Sequence, residues 1–131
     1  MTARLVGDGP EVGLVVRDPE VMLRFYREFL GFELDRDMEF PGIHLWWLRC
    51  GGGFVKLVQL AATPDVANPS GGLREATGFR YLTLVVDNVE EMADGAESAG
   101  GRVVQSTKLE QLTMAMLEDP EGNHVELVRW H

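Results

Sequence analysis

From Glu11 to Val16 the chain alternates with a period of two, Val12, Leu14 and Val16 on one face and Glu11, Gly13 and Val15 on the other, as a half-buried strand does. Asp18 and Pro19 follow, a good helix cap and a good first helical residue. Val21, Leu23, Phe25, Tyr26, Phe29 and Leu30 supply a broad apolar stripe, and Gly31 ends it, which predicts one helix from Pro19 to Leu30. Three strands are predicted next, at 32–39, 43–49 and 54–60, separated by turns at Pro41-Gly42 and Gly51-Gly52-Gly53. Residues 61–79, with two prolines and a Ser70-Gly71-Gly72 step, show no period and are expected to be a linker.

The same order then returns. Residues 81–86 form a strand with Leu82, Leu84 and Val86 on its helix side. Asn88 caps a helix over 89–99, whose stripe (Val89, Met92, Ala93, Ala96, Ala99) is thinner than the first. Strands follow at 102–108, 113–118 and 124–130, the last two joined by a tight turn at Asp119-Pro-Glu-Gly-Asn123. The repeat has an offset of 70: Glu11 falls on Tyr81, Leu14 on Leu84, Asp18 on Asn88, Gly31 on Gly101, Val55 on Val125, Lys56 on Glu126 and Leu57 on Leu127. The expected architecture is α+β: one 131-residue domain of two βαβββ modules, at about 10–60 and 80–131, with residues 1–10 as a loose leader.

A formal charge of −9 with no basic stripe argues against a nucleic-acid partner. No apolar run is long enough to span a membrane, and the leader has no apolar signal core. The single Cys50 makes no intrachain disulfide, so a cytoplasmic location is expected.

Gly13-Leu-Val-Val-Arg-Asp18, Phe25-Tyr26 with Leu30-Gly31-Phe32, Val86-Asp-Asn-Val-Glu-Glu91, and Asp119-Pro-Glu-Gly-Asn123 with Val125-Glu-Leu127 occur in that order. Together they resemble the vicinal oxygen chelate superfamily, which includes glyoxalase I, extradiol dioxygenases, methylmalonyl-CoA epimerase and the bleomycin and fosfomycin resistance proteins. The resemblance implies that each module curls its sheet into half of a barrel-like cup around the ligand, and that the protein is a homodimer. It also implies four metal-ligand positions, here Glu11, Lys56, Tyr81 and Glu126.

Only Glu11 and Glu126 are ordinary ligand types at those positions. A charged lysine has no lone pair, and a neutral phenol is a poor ligand. No metal and no other cofactor is therefore expected, with a divalent ion held by Glu11, His124 and Glu126 as the alternative. Lys56 and Glu126 either form an ion pair or meet a ligand, and Glu11 and Glu126 are the candidate acid–base groups. By alternation, and because histidine is awkward under an apolar helix, His44, Trp46 and their repeat mates Met114 and Met116 are assigned to the cavity wall with Phe54 and Tyr81. Such a wall suits an aromatic or bulky apolar ligand. The expected function is metal-independent sequestration of an aromatic antibiotic or related metabolite in an inter-module cavity. The alternative is a glyoxalase-, dioxygenase- or epimerase-like enzyme.

Overall fold

The computed structural model describes residues 1–69 and 71–131; residue 70, within the expected linker, lies outside the described residues. The chain divides into two compact units, Met1–Asp65 and Val66–His131. The first contains β1 (Glu11–Val15), α1 (Pro19–Leu23), β2 (Glu33–Phe40), β3 (Ile43–Cys50) and β4 (Gly53–Leu60). The second contains β5 (Tyr81–Val85), α2 (Val89–Gly95), β6 (Arg102–Lys108), β7 (Leu112–Glu118) and β8 (His124–Trp130). Each unit has a four-stranded sheet, ordered β1-β4-β3-β2 in one and β5-β8-β7-β6 in the other. In each the first strand runs parallel to the last and the other pairs are antiparallel. Each sheet is open, with two edges, so neither closes into a barrel by its own strands. The described residues of 61–79 form no helix or strand.

The alternating patterns produce one apolar face per sheet. In the first unit Val16, Leu48, Val55 and Leu57 are buried with Met22, Phe25 and Tyr26 from the helical segment. In the second, Ala115, Leu117, Val125 and Leu127 are buried with only Val89 and Ala96 from the helix side, the thinner stripe anticipated there. Asp119 closes the β7–β8 turn by accepting hydrogen bonds from the backbone N–H groups of Glu121 (2.8 Å) and Asn123 (2.9 Å).

The helices depart from expectation. α1 is capped by the Asp18 carboxylate, which accepts from the N–H groups of Glu20 and Val21. After Leu23 the backbone widens into a π-helical stretch, Arg24–Phe29. Leu30 N–H reaches back to Phe25 O (2.9 Å), and Gly31 turns the chain out at φ 81°. A π-turn accommodates one extra residue in a helical ladder. α2 ends at Gly95, four residues short of the predicted end, and its last turn tightens into an Ala96-to-Ala93 bond. Glycine is a poor helix former, and this helix has little apolar surface to compensate.

That extra residue breaks the uniform offset. Glu33 pairs with Arg49, and the corresponding pair is Arg102 with Glu118, both 69 positions later. The bulges agree, lying between Leu34 and Arg36 in β2 and between Val103 and Gln105 in β6. The glycine matching Gly31 is Gly100 (φ 90°), not Gly101. The lost position returns at the next turn: four residues separate the paired Arg49 and Phe54, five separate Glu118 and His124. The offset is therefore 70 for the first and last strands of each module and 69 for the two between.

Two measurements test this account of the folding units. Asp18→Ala should cost about 1 kcal/mol in urea unfolding, the usual magnitude for a lost N-cap. Asn88→Ala should cost less, because Asn88 makes no cap bond and its amide donates to Glu91 instead. Truncating Leu57 or Leu127, both fully buried, should cost about 2–5 kcal/mol each.

Candidate functional site

The helix packs on one face of each sheet, leaving a second, helix-free face, and the strand register decides what stands on it. In the first unit the row through Lys56 runs Gly13, Lys56, Trp47, Arg36. The row beside it is Glu11, Phe54, Arg49, Glu33. The Glu11 carboxylate accepts from the Trp47 indole N–H (3.2 Å), and the same oxygen lies 3.6 Å from Lys56 Nζ. The Arg36 guanidinium lies over the Trp47 ring at 4.6 Å, and that of Arg49 over Phe54 at 4.9 Å. Asp35, at the β2 bulge, holds both arginines, at 3.3 Å from Arg36 and 2.6 Å from Arg49.

His44 and Trp46 are not on this face, and the expectation that they line the cavity wall beside Lys56 is corrected. Trp46 pairs with Leu57 and is 7% exposed, in the helix-side row. His44 stacks on Trp46 with centroids 3.8 Å apart. It contacts Asp37 through Nε2 and lies 3.4 Å from Glu39 through Nδ1. Histidine is accommodated on that side because it sits near the strand end, between two carboxylates. Since faces alternate every residue, a one-position slip exchanges them. Trp47 takes the place given to Trp46. Counting back from Lys56 through the short Gly51-Gly52 turn was the available signal.

In the second unit the corresponding row is Thr83, Glu126, Met116, Gln105. Thr83 Oγ1 donates to Glu126 Oε1 (2.9 Å). Met114 stands on the same face, paired with Val128. Tyr81 also lies there, half exposed, beside His124. The His124 ring is largely engaged. Its Nε2 is 3.3 Å from Glu118 Oε2, and Glu118 receives both Nε (3.0 Å) and a terminal nitrogen (3.1 Å) of Arg102. On the other side Gly72 is pressed against the imidazole, so that a Cβ there would come within 2.7 Å of Nδ1. The carbonyls of Gly71 and Gly72 are held by the Arg80 guanidinium.

Glu11, Lys56 and Phe54 thus share one helix-free face, and Tyr81, Met114, Met116, His124 and Glu126 share the other. The four family positions supply each unit with a single carboxylate, in the first beside an ammonium. His124 is occupied by Glu118 and Gly72. Among the described residues no group of three or more His, Cys, Asp or Glu is arranged to hold a metal ion. A protonated Lys56 offers a cation no lone pair. Cys50 is no better placed as a nucleophile, because burial pushes its thiol pKa up and disfavours the thiolate.

Duplicated βαβββ units with one helix-covered and one helix-free sheet face define the glyoxalase fold. The chain belongs to the Glyoxalase/Bleomycin resistance protein/Dioxygenase superfamily, whose model matches residues 10–127. Among solved structures, SMU.1112c is similar at 28% identity and TM-score 0.73, with 97% of this chain and 99% of that one covered. A glyoxalase family protein from Bacillus cereus is similar at 16% identity and TM-score 0.83, with 98% and 96% covered. The trypanothione-dependent glyoxalase I of Leishmania major is similar at 22% identity and TM-score 0.71, with 91% and 84% covered. No curated protein sequence matches. No helix of the described residues is long and apolar enough to cross a membrane.

The Glu118 cluster predicts a pH dependence. The Arg102 hydrogen bond, helped by His124, lowers the Glu118 carboxyl pKa in the folded state. A depressed carboxylate adds stability that is complete above its unfolded pKa and disappears as pH falls through the folded value. Acid titration of stability should therefore show this loss in the parent protein, and Arg102→Gln should flatten it at low pH.

Proposed function

We propose that this protein is a metal-independent binder of small aromatic molecules, sequestering an antibiotic or related metabolite as a homodimer. The observation that carries this reading is Lys56 at a family ligand position, 3.6 Å from Glu11, with Trp47 donating to the same carboxylate. An ammonium there competes with a cation for the Glu11 carboxylate. Trp47 and Phe54 in one unit, and Tyr81 and Met114 in the other, supply the flat and polarizable surface that aromatic ligands select. Exposed Val15, Val85 and Trp130 leave apolar surface for a second copy to cover.

A second reading has one observation in its favour. The Thr83 hydroxyl orients the Glu126 carboxylate on a face that carries no helix, as a general base requires. Proton transfer would then make the protein an isomerase or lyase.

Protein purified without chelator should contain less than stoichiometric Ni, Zn, Fe or Mn, and a polycyclic aromatic ligand should quench tryptophan fluorescence without being turned over. Trp47→Phe should remove most of the quenching. Stoichiometric metal held by side chains would overturn the proposal. Exchange of a carbon-bound proton of the ligand for deuterium, lost in Glu126→Gln, would favour the enzyme.

A further inference from the structure

We infer that the first unit selects aromatic acids, binding the carboxylate at Lys56 and the ring on the guanidinium faces beside it. The inference rests on the aromatic-binding reading above and adds the charge of the ligand.

Lys56 stands between two aromatic side chains. Trp47 is opposite it on β3, and Phe54 is two residues before it on the same face of β4. Its ammonium has three donors. Its carboxylate neighbour, Glu11, is 3.6 Å away, beyond the roughly 2.7–2.9 Å of a strong charged hydrogen bond, and already accepts from Trp47. Lys56 thus keeps donor capacity toward the helix-free face, where its side chain is 30% exposed.

The arginines supply the ring surface. Arg36 covers Trp47 and Arg49 covers Phe54, leaving about half of each arginine side chain exposed. A guanidinium already stacked on one ring presents its opposite face to a second. Asp35 fixes both guanidinium groups, so little side-chain entropy remains to be lost when a ligand stacks on them. Three cations gathered on one face stand out in a chain of formal charge −9. Glu11, Glu33 and Asp35 on the same face offset those cations, so a single carboxylate is a better match for the Lys56 ammonium than a phosphate. The second unit has Glu126 and Met116 where the first has Lys56 and Trp47, so the preference belongs to the first unit alone.

Calorimetric titration of the full chain with 2-naphthoate and with 2-naphthamide tests the assignment. The parent protein should bind the acid at least about tenfold more tightly than the amide, the ratio expected for one charged hydrogen bond. Lys56→Gln should erase the ratio by weakening the acid's binding far more than the amide's, and Lys56→Arg should retain it. An unchanged urea midpoint for both variants would show that they fold. Equal affinity of the parent for acid and amide overturns the inference and leaves aromatic binding standing. Failure of both ligands to bind overturns the two together. A preference that survives Lys56→Gln overturns the role of Lys56.

Discussion

Hydrogen-bond register across the central strand pairs governs everything else in each unit. β3 meets β4, and β7 meets β8, through turns that differ by one residue. Side chains alternate across a sheet, so this single residue determines whether Trp46 or Trp47 shares a face with Lys56. The π-helical stretch in the first unit is the matching change. It takes up the residue that the shorter turn lacks, and the first and last strands remain aligned between the modules. Packing explains why the widened helix survives: Phe25 and Tyr26 within it are wholly buried, with rings 5.2 Å apart.

The duplicated rows show how one scaffold carries two chemistries. At equivalent positions the first unit has Gly13, Lys56, Trp47 and Arg36, and the second has Thr83, Glu126, Met116 and Gln105. The backbone is nearly the same in both. The first row is cationic and aromatic; the second is anionic and soft. Helix-free faces bear no helix-packing load, so their residues are free to diverge while the buried Val55 and Leu57, or Val125 and Leu127, keep the fold.

Polar groups near these faces are mostly tied to one another. Asp35 orders two arginines, Glu118 joins Arg102 to His124, and Arg80 holds the glycines that cover the His124 ring. Each tie fixes a side chain that would otherwise lose entropy on meeting a ligand. His124 illustrates the consequence: its sequence position invites a ligand role, yet its surroundings already use both sides of the ring.

Much of the molecule was legible in the chain itself. Period-two alternation located the strands, Asp18-Pro19 and Asn88 located the helix starts, and the repeat revealed two βαβββ modules. Those signals are local, because strand alternation and capping depend on near neighbours. The matched pair Lys56 and Glu126 was also readable, since the offset of 70 holds at the last strands. The partners of Lys56 were not. A helix that widens by one residue and a turn that shortens by one leave no mark in hydrophobic periodicity. Only the pairing of β3 with β4 placed Trp47, rather than Trp46, beside Lys56, and only the folded path of residues 71–72 covered His124. Composition and spacing determined which elements form, while contacts between distant segments decided which side chains face one another.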